Sequence, residues 1–233
     1  MSVNRKFKDS VFTKLFSNPD LLRELYCALR GVTLPSDIPV SINTLENVLY
    51  MDICNDISFE IGGKLVVLIE QSTINPNMAL RLLFYISDVY QAMIDSKTLY
   101  SKKPLFIPWP EFYVLYNGVA SFPDVEILKL SDLYYKPTDL NLPEKILPLM
   151  DLEVKLININ EGRNEEIISR CKKLYEYSKF IAKAHTFWKE LKNLKEGIKK
   201  GYKILPKTWY TCRVPGKTFK RGIEYVIYRM EYG

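Results

Sequence analysis

The chain has 233 residues, 47% of them hydrophobic and 26% charged, so it is long enough to bury a core and too apolar for a disordered chain. No stretch approaches the roughly 20 apolar residues of a membrane span, and no apolar leader stands at the start, so we expect a soluble, cytoplasmic protein. A single histidine, His185, and four cysteines without a Cys-x-x-Cys pair argue against histidine-rich or cysteine-rich metal sites and against a Ser-His-Asp triad.

Charge is distributed unevenly along the chain, although the net charge is only +6. Residues 170–233 hold 17 Lys and Arg against 5 Asp and Glu, whereas residues 1–169 hold 16 against 22. A basic tail beside an acidic body is typical of a phosphate-binding protein with a carboxylate metal site. A solvated lysine-rich helical surface explains the same charge, and from charge alone it is the more common case.

The first elements along the chain are two short helices, predicted over residues 5–15 and 20–29. The sequence Asn18-Pro19-Asp20 ends the first helix and begins the second, and Gly31 closes the second. Residues 47–71 then change to partial apolar and polar alternation, with a turn at Gly62-Gly63 and a β-branched run after it. This pattern predicts a β-hairpin whose second strand is buried.

A long amphipathic helix is predicted after Pro76, with Leu82, Ile86, Val89 and Met93 on one face. The segment FYVLYNG predicts a strand that ends in an Asn-Gly turn, and residues 119–147 are expected to form a loop. LEVKLININ predicts a further strand, and the chain from Asn164 onward is expected to be helical.

These elements predict an α/β fold in which a hairpin, a crossover helix and a further strand build a central mixed sheet flanked by helices. We expect one domain over residues 1–162 and a basic, helical C-terminal extension over residues 163–233, packed on or beside it. Many unrelated domains share so short a string of elements, so the fold alone names no function.

Two carboxylates carry the chemistry that the sequence suggests. Asp56 lies in the first hairpin strand and Glu70 near the end of the second, so the ladder can bring them to neighbouring positions. Adjacent carboxylates repel unless a cation lies between them, and Mg²⁺ prefers oxygen ligands. Considered as isolated residues, they are more often explained structurally, Asp56 by a polar strand face and Glu70 by the end of an apolar strand.

The segments NDISFEIGGKLVVLIEQSTINPNMALRLLFYISDVY, KDSVFTKLFSN, INTLENVLYM, FYVLYNG and LEVKLININEGRN together resemble the Rpn family of recombination-promoting nucleases, also described as YhgA-like transposases. This family belongs to the PD-(D/E)XK nuclease superfamily. The resemblance covers roughly residues 5–185 and implies a restriction-endonuclease-like core and a Mg²⁺-dependent DNA endonuclease linked to recombination or mobile elements. It implies Asp56 and Glu70 as metal ligands and catalytic residues, and Gln71 as the third catalytic residue.

The third position departs from the family pattern. Family members typically read Glu-His-Gln-Ser-Thr, whereas this chain reads Glu70-Gln71-Ser72-Thr73, one residue fewer. In a regular strand Ser72, and not Gln71, would share a face with Glu70. A bulge or an early strand end could turn Gln71 back toward Glu70; otherwise the site has lost its third member.

Other residues are candidates for supporting roles. Glu46 could add a carboxylate, although an exposed surface glutamate is the more common case. Arg81 and Asn77, near the start of the long helix, could meet a phosphate, although Asn75-Pro76-Asn77 is also a helix-start signal. The basic tail residues expected to contact DNA are Lys199, Lys200, Lys217, Lys220 and Arg221.

Three functions therefore remain open from the sequence. The preferred one is a DNA endonuclease, and the chain could self-associate. The second is a decayed family member that binds DNA without cutting it. The third is a protein-interaction or structural α/β module whose basic tail binds an acidic protein partner. The aromatic residues of the tail fit either stacking on single-stranded nucleic acid or, more commonly, anchoring of the tail on the core.

Overall fold

The computed structural model describes residues 12–13, 15–42, 56–72, 75–191, 212–214 and 217–219. The chain divides into two compact units. The first comprises residues 1–36, 52–56 and 159–233, and the second comprises residues 37–51 and 57–158. The boundary predicted between residues 162 and 163 stays a prediction.

The second unit is built on a six-stranded mixed sheet with the strand order β1-β2-β3-β4-β6-β5. Strands β4 and β6 run parallel to β3, while β1 pairs antiparallel with β2 and β5 pairs antiparallel with β6. This arrangement confirms the α/β class and the mixed sheet. The strands are β1 (Val40–Ile42), β2 (Asp56–Ile61), β3 (Leu65–Ser72), β4 (Trp109–Tyr116), β5 (Val125–Lys129) and β6 (Glu153–Asn158).

One helix connects the parallel strands β3 and β4, and its apolar face forms the core of the second unit. As two parallel strands require a long crossover, the chain leaves β3 and returns through a helix (Met78–Met93), which we number α2 in chain order. Alternate residues of β4 and β6 pack in the same cluster, as the two-residue period of a strand predicts. Leu82, Ile86 and Val89 are buried in it as predicted, whereas Met93, in the last turn, is 42% exposed.

The segment expected to be a loop contains β5 and two short 3₁₀ helices, Leu130–Leu133 and Pro137–Leu140. The loop expectation over residues 119–147 was therefore wrong at these positions. β5 lies at one end of the sheet order, and its side chains alternate between exposed and half-buried, so it lacks the apolar run that identifies a buried strand. Another 3₁₀ helix, Ser96–Tyr100, follows α2.

The first unit is helical over most of its described residues. Helix α1 (Pro19–Arg30) begins after Asn18, whose side chain accepts a hydrogen bond from the Asp20 N–H at 2.8 Å. It ends at Gly31, which has a left-handed backbone (φ 75°) and donates its N–H to the Cys27 carbonyl. The predicted second helix and its glycine stop are thus confirmed. The helix predicted over residues 5–15 falls largely outside the described residues.

Two further helices follow the second unit, α3 (Glu165–Arg170) and α4 (Lys172–Leu191), separated at Cys171. The Lys172 N–H donates to the Glu24 carboxylate at 2.7 Å, which ties the start of α4 to α1. In the tail, β7 (Cys212–Val214) and β8 (Lys217–Phe219) form an antiparallel pair. This hairpin departs from the helical expectation, and a Pro-Gly dipeptide, a common turn sequence, stands between its strands.

Candidate functional site

The hairpin that was expected to carry the carboxylates turns at Gly62 and Gly63. Both glycines have left-handed backbone angles (φ 60° and 63°), which a residue with a side chain adopts only at a cost. The Gly62 N–H donates to the Pro39 carbonyl at 2.8 Å, and the Lys64 N–H donates to the Ile61 carbonyl at 3.2 Å. The turn therefore fixes where β2 ends and β3 begins.

The carboxyl ends of β3, β4 and β6 lie at one edge of the sheet, because the three strands are parallel. Ser72 pairs with Tyr116, and Tyr116 pairs with Asn158. In open α/β sheets, ligands commonly bind at the carboxyl ends of the parallel strands. This edge is the candidate site of the second unit.

Two buried asparagines mark the same edge. Asn117 directly follows β4 and Asn158 ends β6, and each is only 3% exposed. The Asn158 side chain donates to the Phe122 carbonyl at 3.0 Å, and its N–H donates to the Asp124 carbonyl at 2.9 Å. Asn158 therefore ties the loop after β4 to the end of β6, as buried polar groups require partners. Asn117 was predicted only as part of a turn, and the role of Asn158 was not predicted; the available signal was an asparagine at the end of each apolar strand.

The loop after β4 folds back on Tyr116. The Tyr116 hydroxyl donates to the Ala120 carbonyl at 2.8 Å, and its ring packs against Phe122 with centroids 4.6 Å apart. Burial raises the pKa of the Tyr116 phenol, against a smaller opposing effect of the bond to Ala120, so the hydroxyl stays protonated near neutral pH. Tyr116 thus stabilises the loop as a neutral hydrogen-bond donor.

The β2–β3 hairpin carries four of the predicted site residues. Asp56 is the first residue of β2, and Glu70, Gln71 and Ser72 are the last three of β3; their backbone positions are described. In the pairing with β4, Glu70 lies opposite Val114, Gln71 opposite Leu115 and Ser72 opposite Tyr116. The register advances one residue at a time through residue 72, so this ladder contains neither a bulge nor an early strand end.

Arg81 and Asn77 were expected to meet a phosphate at the start of α2. Some backbone N–H groups there already donate hydrogen bonds within the protein. The Asn77 N–H donates to the Asn75 side chain at 3.0 Å, and the Met78 N–H donates to the Asn75 carbonyl at 3.2 Å. The half-buried Arg81 contacts the Met78 sulfur at 3.9 Å. The phosphate role of these residues stays a prediction.

Most of the remaining candidate residues lie outside the part of the chain that the structure describes. Glu46, Lys199, Lys200, Lys220 and Arg221 lie outside the described residues, and Lys217 is the first residue of β8. Over the described part of the chain, no group of three or more His, Cys, Asp or Glu side chains is arranged to hold a metal ion. Within the same residues, no helix has the length and apolar character needed to cross a membrane.

Comparison with known proteins gives one match. A family model described as "Putative transposase, YhgA-like" matches residues 32–204, well over half of the chain. Neither the curated proteins nor the solved structures contain a match. The match covers every strand from β1 to β6 and the helices α2, α3 and α4.

Proposed function

The chain belongs to the YhgA-like transposase family, and on that premise we propose that it is a Mg²⁺-dependent DNA endonuclease with a PD-(D/E)XK core. The observation that carries the proposal is the order of elements around the carboxylate residues. A hairpin, β2–β3, is followed by helix α2 and by a strand parallel to β3. Asp56 begins the hairpin and Glu70 stands near its end.

The spacing of the two carboxylates from the turn supports a shared site. Asp56 lies five residues before Ile61, where β2 ends, and Glu70 lies five residues after Leu65, where β3 begins. A hairpin with this spacing can bring Asp56 and Glu70 to neighbouring positions. Both would then need a common cation, because paired carboxylates repel.

Mg²⁺ fits this pair because the donor set consists of carboxylate oxygens, with no sulfur or imidazole ligand required. Asp56 and Glu70 would hold it, with Glu46 as a candidate for a further carboxylate. When bound, the ion supplies Lewis-acid polarisation of the scissile phosphate and acidifies the attacking water. Gln71 or Ser72 would orient that water by hydrogen bonding.

DNA is the proposed substrate because the tail supplies the charge that phosphates require. Residues 170–233 hold 17 basic against 5 acidic side chains, including Lys199, Lys200, Lys217, Lys220 and Arg221. We propose a role in recombination or in mobile elements, in keeping with the family, and a cytoplasmic location.

Incubation of purified protein with supercoiled plasmid and Mg²⁺ tests the activity. We expect nicked or linear DNA from the wild type, and at least a hundredfold less from Asp56→Ala and from Glu70→Ala. Glu144→Ala is the matched control, because it removes an exposed carboxylate far along the chain from both residues. Equal cutting by all four proteins, or none by any, would sink the proposal.

The register of β3 favours a second candidate, a protein that binds DNA without cutting it. The pairing of β3 with β4 continues without a break through Ser72. In such a strand, successive positions belong to opposite faces of the sheet, so position 71 belongs to the face opposite that of positions 70 and 72. A water-positioning group at 71 would then face away from a ligand at 70.

A one-residue insertion discriminates between the two candidates. A histidine placed between Glu70 and Gln71 restores the family's Glu-x-Gln spacing. If the wild-type chain binds DNA without cutting it and the chain with the insertion cuts, the site lost its activity because one residue is missing. If the wild type already cuts and the insertion abolishes cutting, the present register is the functional one.

A further inference from the structure

An exposed segment of the chain lies between α2 and β4. The segment 96–109, which we call the lysine-aromatic loop, presents three aromatic side chains to solvent. Tyr100 is 90% exposed, Phe106 94% and Trp109 62%. Large apolar side chains exposed together commonly mark a binding surface.

Charge in this loop has a single sign. Lys97, Lys102 and Lys103 lie in it, and residues 96–109 include no Asp or Glu. The flanking carboxylates have donors within the protein: Asp95 accepts from the Lys97 N–H at 3.0 Å, and Glu111 accepts from the Tyr113 hydroxyl at 2.7 Å. The loop therefore combines exposed rings with positive charge and suits a polyanion.

Hydrogen bonds hold the loop backbone. The Tyr90 hydroxyl, on α2, donates to the Pro108 carbonyl at 2.6 Å, and the Trp109 N–H donates to the Lys64 carbonyl at 3.0 Å. The Ser101 hydroxyl donates to the Lys103 carbonyl at 2.9 Å. A loop that is already ordered loses less conformational entropy when it binds a ligand.

We propose that the lysine-aromatic loop binds single-stranded nucleic acid, with bases stacked on Tyr100, Phe106 and Trp109 and phosphates paired with the lysines. Exposed rings interleaved with basic side chains are the usual composition of such surfaces, because every base has a face that can stack. Duplex DNA fits less well, since its bases are already stacked on one another.

A lipid surface is the competing ligand, because Leu99, Leu105 and Ile107 also lie in the loop. These aliphatic side chains are 62%, 45% and 48% exposed, whereas the aromatic rings of Tyr100 and Phe106 are at least 90% exposed. Stacking therefore accounts for the exposure pattern better than insertion into a membrane does.

The loop is separate from the proposed nuclease site. Trp109 pairs with Leu65 at the start of β3, whereas Ser72 pairs with Tyr116 at the other end. Seven residues of strand separate these pairs, on the order of 23 Å at about 3.3 Å per residue. Binding at the loop requires no cleavage, so it can be measured in EDTA, and a catalytically inactive chain would still bind.

The test is the fluorescence anisotropy of a labelled 15-nucleotide oligo(dT) with the full chain in EDTA. We expect binding that the Tyr100→Ala/Phe106→Ala variant weakens by about tenfold or more. The matched control is Tyr135→Ala/Leu149→Ala, which removes two equally exposed side chains outside the loop. Lys102→Ala/Lys103→Ala should lower the slope of log affinity against log salt by about 1.4.

Further arms identify the ligand. A 15-nucleotide oligo(U) distinguishes RNA from DNA, and binding of either that depends on Tyr100 and Phe106 supports the proposal. A matched duplex and phosphatidylcholine/phosphatidylglycerol vesicles are the competing ligands. Equal oligonucleotide affinity in wild type and the Tyr100/Phe106 variant overturns the proposal, as does a loop-dependent preference for duplex or for vesicles.

Discussion

Among single residues, Gly118 tests how closely the loop after β4 is packed. A Cβ at this position would lie 2.5 Å from the Tyr116 hydroxyl and 2.6 Å from its ring, which is held by Ala120 and Phe122. We therefore expect Gly118→Ala to lower the free energy of unfolding by about 2 kcal/mol, measured by urea denaturation.

Gly63→Ala provides the comparison, because a Cβ at Gly63 would have open space but a left-handed backbone. It should cost about 1 kcal/mol from backbone strain alone. If Gly118→Ala leaves the free energy of unfolding unchanged, or lowers it less than Gly63→Ala does, the packing described for Tyr116 is contradicted.

Cys171 gives a second prediction for a single residue. Burial raises the pKa of its thiol to about 12, so almost no reactive thiolate forms in the folded protein at pH 8. We expect iodoacetamide to modify Cys171 at least on the order of a hundredfold more slowly in the native protein than in guanidinium, as followed by peptide mass spectrometry. Rapid native labelling of Cys171 would show that the junction of α3 and α4 opens.

The sequence predicts residue roles well where the cause is local. Gly31 was identified as a helix stop because a left-handed residue directly follows α1. The role of Asn158 could not be predicted, because its partner, the Phe122 carbonyl, lies 36 residues away and is brought near by the pairing of β6 with β4 and with β5.

At the scale of elements, Asp151 links the two ends of the segment that connects β5 to β6. Its carboxylate accepts hydrogen bonds from the Ser131 hydroxyl at 2.7 Å, the Ser131 N–H at 2.9 Å and the Leu152 N–H at 2.8 Å. The Ser131 hydroxyl, then the Ser131 N–H, hold the pKa of Asp151 below its ordinary value. The ionised Asp151 therefore stabilises the contact between the two ends of this connecting segment.

The sign of the pH effect follows from the lowered pKa. The stabilisation is complete above the ordinary carboxyl range and is lost as pH falls through the lower pKa of the folded state. We expect faster hydrogen exchange of the Ser131 and Leu152 amides as pH falls from 6 to 2, after correction for intrinsic rates. In Asp151→Asn, the Ser131 and Leu152 amides should exchange fast already at pH 6. In the control Glu144→Gln, they should exchange at the wild-type rate. Slow exchange of these amides in Asp151→Asn would refute this role of Asp151.

Elements with a strong pattern were predictable and weakly patterned ones were not. The β2–β3 hairpin, α2, β4 and β6 combine long apolar runs or helical periodicity with clear turn residues. β1 has three residues and β5 five, at the ends of the sheet order, and their stability depends on partners distant in sequence. Asp56 and Glu70 stay predictions of site residues, whereas Asn117 and Asn158 could not be placed from sequence, because parallel pairing brings their strand ends to one edge.

For the whole molecule, the uneven charge predicts salt-sensitive DNA binding. The 17 basic side chains of residues 170–233 should release counterions from duplex DNA when they contact its phosphates. We expect affinity to fall linearly on a log-log plot against salt, and Lys199→Ala/Lys200→Ala to reduce that slope by about 1.8. Lys145→Ala, in the acidic part of the chain, should leave the slope unchanged. Salt-independent binding would favour a protein partner for the tail.

The proposed nuclease depends on a divalent cation held by Asp56 and Glu70, and binding of that cation can be measured without knowing the DNA substrate. Titration of the full chain with Mn²⁺, a spectroscopically visible substitute for Mg²⁺, should show one site per chain at pH 7. Asp56→Asn/Glu70→Gln should remove that site, because neutral amides no longer supply the charge that the cation requires, while the exposed control Glu144→Gln should retain it. Absence of binding by the wild type, or equal binding by the double variant, would contradict the assignment of these two residues.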